Sequence, residues 1–285
     1  MRVVILCSSP YSETGCAMAA RLAQAGRIPV GALSLPAWDR RTLLRKIGQW
    51  GLRDSYRFAR AKIGPTQANR QQIRNPYLQK MLARETGAFR SLFEVARYYK
   101  FPVATCADQN SRPAIEQLKR WSPDIAIFTG GNIVREAALK QCGLGIVNAH
   151  LALLPEIRGM SSPEWSVLQG VPLGITIHFM DSGIDTGPIL LRRESPKPHE
   201  CDSFTDLRNR MIAAAIDWMA ETLAALEAGT ISPTPQASKQ TNERGDDSQY
   251  FVMHDRLKAL AKRRLAKIDS TTLENAADHA GVHNG

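Results

Sequence analysis

Short, wholly apolar runs alternating with stretches of helical periodicity constrain this chain more than any other feature. Residues 2–7 (RVVILC) read as a buried strand, about Thr14 to Ala25 as a helix, and residues 28–34 (IPVGALS) as a second strand. The pattern resumes with strands at Phe101–Cys106 and Asp124–Thr129, joined by a helix at Arg112–Trp121. A short helix at Val134–Gln141 leads to the strand Gly145–His150. A helix at Ser162–Gln169 stops at Gly170, and Leu173–Phe179 comes next as a strand. After Gly187-Pro188 comes Ile189–Arg193, expected at a sheet edge, and then one long helix over Ser203–Gly229. Strands linked by helical crossovers make parallel sheets. The prediction is an α/β fold, a Rossmann-like and largely parallel sheet. It carries a helical, basic insertion near residues 38–100 and a helical C-terminal extension. One domain is expected over residues 1–200, and a helical extension with a polar tail over 201–285. Residues 230–249 read as an extended polar linker, His254–Lys267 as a basic helix, and the last residues are expected to fray.

Several classes fall away. No apolar run approaches the roughly 20 residues that span a bilayer. The opening apolar stretch is shorter than a signal peptide requires and reads as a strand. Five scattered cysteines without a CxxC pair point to reduced thiols and a cytoplasmic location, with no metal-ligand grouping. SSPYSETG after the first strand lacks the GxGxxG fingerprint, so neither NAD nor FAD is expected. Net charge is +10, yet residues 38–100 hold 15 Lys or Arg against 4 Asp or Glu, so the rest is close to neutral. Within that segment Leu43, Leu44, Ile47 and Trp50 form an apolar stripe among Arg41, Arg45 and Lys46. Two readings stay open. One is a packed insertion with a solvated basic face. The other is a surface for an anionic partner: a membrane touched through residues 38–62, a nucleic acid, or a nucleotide-linked substrate.

Chemistry concentrates in Gly145–Leu190. Asn148 and His150 sit two apart at a strand end and so share a face. An amide can donate to an oxyanion while an imidazole handles a proton at neutral pH, which suits acyl transfer. Some 35 residues later a strand runs into MDSGIDTGP, whose glycines and proline mark a tight loop around Asp185. Ligands of open α/β sheets gather beyond the carboxyl ends of strands, where all three residues would lie. An aspartate beside a histidine orients the ring and steadies its cation.

NAH followed by LLP and RG, then PEW, then GITIHFMDSGIDTGPIL resembles the core of the folate-dependent formyltransferases. That family includes glycinamide ribonucleotide formyltransferase, methionyl-tRNA formyltransferase and the N-formyltransferases of nucleotide-linked amino sugars. The resemblance covers Phe128 to about Leu191. It implies Asn148, His150 and Asp185 as the catalytic set and N10-formyltetrahydrofolate as formyl donor. Asn148 and protonated His150 would stabilise the oxyanion, while Asp185 holds His150 and helps relay the proton. The pterin would meet the GGNIV loop, with Gly131, Asn132, Ile133 and Val134, and the stretch Met180, Asp181 and Ser182.

Departures narrow the acceptor. Ala152 stands where many members have a serine before LLP, no glycine-rich phosphate loop comes after the first strand, and residues 200–285 lack the strand signals of a C-terminal barrel. RGMSSPEW resembles the amino-sugar branch, so the expected acceptor is an amine of a nucleotide-linked amino sugar, phosphate-bearing and small. tRNA is not expected, and a homodimer is. The rivals are formylation of aminoacyl-tRNA or another small amine, and a non-catalytic nucleic-acid or membrane-binding protein on the same fold. Arg158 could meet an acceptor phosphate and Trp165 could line the acceptor pocket, while His178 reads as structural.

Overall fold

The computed structural model describes residues 1–37, 74–85, 87–195, 201, 203–236 and 249–266. The stripe Leu43, Leu44, Ile47 and Trp50, the residues 38–62 expected to touch a membrane, and the final residues lie outside them. The chain divides into two compact units, Arg2–Gln141 and Met1 with Cys142–Gly285. Among the described residues no helix is long and apolar enough to cross a membrane.

The first unit is a parallel sheet in the order β6-β1-β2-β5, with β1 at Val3–Cys7, β2 at Gly31–Ser34, β5 at Val103–Thr105 and β6 at Ile125–Phe128. β1 is paired on both edges and its five residues are fully buried, which is why its sequence is apolar throughout. α1 (Glu13–Gln24) starts on Ser12, whose hydroxyl accepts the Gly15 N–H. A β-carbon at Gly15 would collide with Cys7 Sγ, so glycine lets the helix approach β1 closely.

α2 (Pro76–Leu82) and α3 (Leu92–Tyr99) both pack on α1, burying Leu78, Leu82, Leu92 and Val95. A two-residue hairpin, β3 (Ala83–Arg84) with β4 (Gly87–Ala88), joins them. Glu13 fastens α2 by accepting from the Asn75 N–H at 3.0 Å and Gln79 Nε2 at 2.7 Å. α2 and α3, expected to belong to the insertion, thus pack against the first unit through α1, with α3 leading into β5. α2 and α3 expose charge on one side while burying leucines on the other, as the reading of a packed segment with a solvated basic face expects. α4 (Arg112–Trp121) precedes β6, and α5 (Glu136–Leu139) comes after the Gly130–Val134 loop.

The second unit centres on β9 (Gly174–Phe179), antiparallel to both β7 (Gly145–His150) and β10 (Ile189–Glu194). The fold is thus of the expected mostly parallel α/β class, with antiparallel pairing in this unit and in the short β3–β4 hairpin of the first. β9 and β10 are joined by one tight loop, which can only return the chain antiparallel. α6 (Ser162–Gln169) ends at Gly170 in the left-handed region. α7 (Phe204–Glu227) covers this sheet, its Leu207, Met211 and Ala215 packing with Val167, Leu173, Ile175 and Leu265. The stretch after α7, expected to be a linker, bridges Thr234 to Ile189 and returns at β11 (Gln249–Tyr250), which pairs in parallel with β8 (Arg158–Gly159). A basic helix over 255–266 completes the described chain.

Candidate active site

Register builds the site. On the β7/β9 ladder Asn148 lies opposite His178, and His150 opposite Thr176. Opposed residues of an antiparallel pair project from the same face, so one face carries all four side chains. Thr176 shapes the loop after β7: its hydroxyl donates to the Ala152 carbonyl at 2.8 Å and accepts the Leu154 N–H at 3.0 Å. That loop curls so that the Ile157 carbonyl meets His150 Nε2 at 2.8 Å. A carbonyl can only accept, so the ring proton sits on Nε2 and Nδ1 is the nitrogen that can exchange one.

His178 is set the same way. Its Nδ1 donates to the Phe179 carbonyl at 2.8 Å, which turns Nε2 toward Asp185. The second nitrogen of each ring faces Asp185: His150 Nδ1 is 3.3 Å from Oδ2 and His178 Nε2 is 3.5 Å from Oδ1. Asn148 Nδ2 lies 3.4 Å from His178 Nε2. His150 is 6% exposed and His178 1%, so the cluster works in a dry setting where charge interactions are strong.

Asp185 comes from the loop between β9 and β10, where Asp181 Oδ1 accepts from the Gly183 N–H at 3.0 Å and Thr186 Oγ1 at 2.6 Å. Asp185 itself is left-handed (φ 54°), and its Oδ2 accepts the Gly159 N–H at 2.9 Å. Burial works to raise its pKa, but the His178 hydrogen bond, the charge of His150 and the Gly159 N–H outweigh it and hold the carboxyl down at about 2. Burial pushes His150 below its ordinary 6.5, opposed by Asp185 and the Ile157 carbonyl and aided by His178. The resting state at neutral pH is an ionised aspartate against a neutral, proton-accepting His150.

The structure thus brings Asn148, His150 and Asp185 together and adds His178 to them. Met180 gives its N–H to the Ile146 carbonyl at 2.7 Å, and Asp181 is engaged in shaping its own loop, where Ser182 is exposed. In the first unit, Gly130 and Gly131 take positive φ, and Asn110 braces the loop through the Ile133 carbonyl (2.9 Å) and the Arg135 N–H (2.6 Å). Asn132 hydrogen-bonds Asp108, Val134 is buried, and Ile133 stands 82% exposed. Arg158 is not an exposed arginine: it is 7% exposed and donates from a terminal nitrogen to Gln236 Oε1 at 3.0 Å. Trp165 stacks on Tyr250 with centroids 4.8 Å apart and donates to the Phe251 carbonyl at 2.9 Å. Gln236 and Gly159 carry no signal in the sequence, because their partners lie 26 to 78 residues away along the chain.

Fold and cluster together define an α/β protein with a buried histidine–aspartate cluster. The chain belongs to the formyl transferase family, whose model matches residues 63–223, more than half its length. It is 34% identical over 145 residues to methionyl-tRNA formyltransferase of Pelobacter propionicus, a match covering 50% of this chain and 45% of that one. The corresponding protein of Trichlorobacter lovleyi is 33% identical over 150 residues, 52% of this chain and 47% of the relative. The chain therefore spans about half the length of the curated relatives it matches. Glycinamide ribonucleotide transformylase 1 from Symbiobacterium toebii superposes with a TM-score of 0.52 at 20% identity, covering 83% of this chain and 94% of that one. A sugar N-formyltransferase from a Shewanella species gives 0.54 at 13% identity, over 93% and 88%. These likenesses establish the fold.

Proposed function

We propose that this protein transfers a formyl group from N10-formyltetrahydrofolate to a primary amine, with Asn148, His150 and Asp185 as the catalytic set. The observation that carries the reading is the way two backbone carbonyls fix the rings of His150 and His178 so that both face one ionised carboxylate. N10-formyltetrahydrofolate supplies the activated formyl carbon. The Asn148 amide donates to the negative charge that grows on the formyl oxygen as the amine attacks. His150 Nδ1 takes the proton the amine sheds and returns it to the departing N10, so the new C–N bond forms as the old one breaks without net proton release. Asp185 steadies the imidazolium during that interval. The Met180–Ser182 turn offers backbone edges and a thioether to the donor.

The acceptor we propose is the amine of a nucleotide-linked amino sugar, a reading supported by the RGMSSPEW loop. The second reading is an aminoacyl-tRNA, favoured by the likeness to methionyl-tRNA formyltransferases. Purified protein with formyl-folate and a panel of amino-sugar nucleotides, amino acids and charged tRNA separates them. Turnover on an amino-sugar nucleotide is expected. Turnover on charged tRNA alone moves the assignment to the second reading, and none on any amine removes the proposal.

A further inference from the structure

We propose that Gln236 is a positioning residue of this site, its amide clamping the Asp185 loop so that the carboxylate faces His150 and His178; this rests on the formyl-transfer reading. The segment carrying Gln236 turns away from α7 at Gly229 and is docked by a reciprocal pair of hydrogen bonds between Thr234 and Ile189, each 2.8 Å. From there Gln236 Nε2 donates to two loop carbonyls at once, Asp185 at 2.9 Å and Gly187 at 2.8 Å. Its Oε1 accepts from Arg158 at 3.0 Å, which uses both ends of the amide.

The contacts close a ring. Asp185 is held at its carbonyl by Gln236, Gln236 by Arg158, and the next residue, Gly159, returns to the Asp185 carboxylate at 2.9 Å. Such restraint has a reason in the backbone. A non-glycine residue in the left-handed region is strained and persists where the surroundings over-determine it. Without the clamp Asp185 would relax toward an unstrained φ and swing its carboxylate off the two imidazoles. The amide type matters as well: a glutamate of the same shape keeps Arg158 as partner but has no N–H to give the carbonyls.

The test tracks the histidine ring signals by NMR through a pH titration of the full chain, wild type against Gln236→Glu and Gln236→Met. Loss of the clamp withdraws Asp185, the group that raises His150, so the His150 midpoint should fall. Turnover number should drop about tenfold or more with KM for the acceptor nearly unchanged. In an Asp185→Asn background the same replacements should cost nothing further, because both act through one carboxylate. An unchanged His150 titration, or losses that multiply with Asp185→Asn, would overturn the proposal. So would unfolding of both variants, which would make Gln236 scaffold. Absence of formyl transfer in the wild type would sink the catalytic reading instead, and the titration would still decide Gln236.

Discussion

His150 has one nitrogen to work with, and that sets its pH behaviour. Because burial lowers its pKa, the acid limb of kcat/KM should fall below the ordinary histidine value of 6.5, activity dropping only as Nδ1 becomes protonated in the free enzyme. A pH–rate profile with a limb above 6.5 would contradict a resting neutral base. His150→Ala should cut turnover by about a hundredfold or more, since proton carrier and charge partner go together. Asp185, depressed to about 2, contributes stability that is full above its unfolded pKa near 3.9 and lost as pH falls through about 2. At this scale the sequence is informative about Asn148, His150 and Asp185, because a two-residue strand spacing and a Gly/Pro-rich loop are local signals. His178 reads as structural in the sequence because alternation on a strand reports burial alone. Its partners come from β7 and the loop beyond β9, which no window along the chain displays together.

At the element scale the pairing of β8 with β11 rests on Gly159. Its φ is 89°, and a β-carbon there would land on the Tyr250 carbonyl oxygen, which is backbone and cannot yield cheaply. Gly159→Ala should cost about 1–3 kcal/mol in chemical denaturation and loosen the N–H that holds Asp185. Gly229→Ala, at φ 69° with nothing within 4 Å, is the control and should carry the backbone term alone, about 1 kcal/mol. Equal losses for the two would mean the β8–β11 contact contributes nothing. Most strands and helices are legible to within two residues, since apolar runs and glycine stops are local. The return of residues 230–250 is not. On the described residues at its two ends, hydrogen bonds reach distant backbone, between Thr234 and Ile189 and from Met160 to Tyr250, and polar composition carries no trace of them.

Across the whole chain the cysteines behave as hydrophobic residues. All five are free and buried. Burial raises Cys7, Cys16 and Cys142 to about 12 and Cys106 to about 11, far from thiolate at neutral pH. A thiol reagent at pH 8 should label native protein at least about a hundredfold more slowly than unfolded protein, with the native rate tracking unfolding. Rapid native labelling of any one thiol would show an opening that the packed units do not contain. The scattered spacing of the five points to this outcome, because small secreted disulfide frameworks concentrate their cysteines. The two-unit division does not show in the sequence, because the alternation of strands and helices continues across Gln141 and Cys142 without a change in composition.

Trp165 and Tyr250 form one stacked pair, one ring from α6 and the other from the returning tail. Two chromophores held 4.8 Å apart and 32° from parallel couple optically. The molecule therefore carries its own optical gauge of whether the strand beside Gly159 is seated, read in the near-ultraviolet without any attached dye.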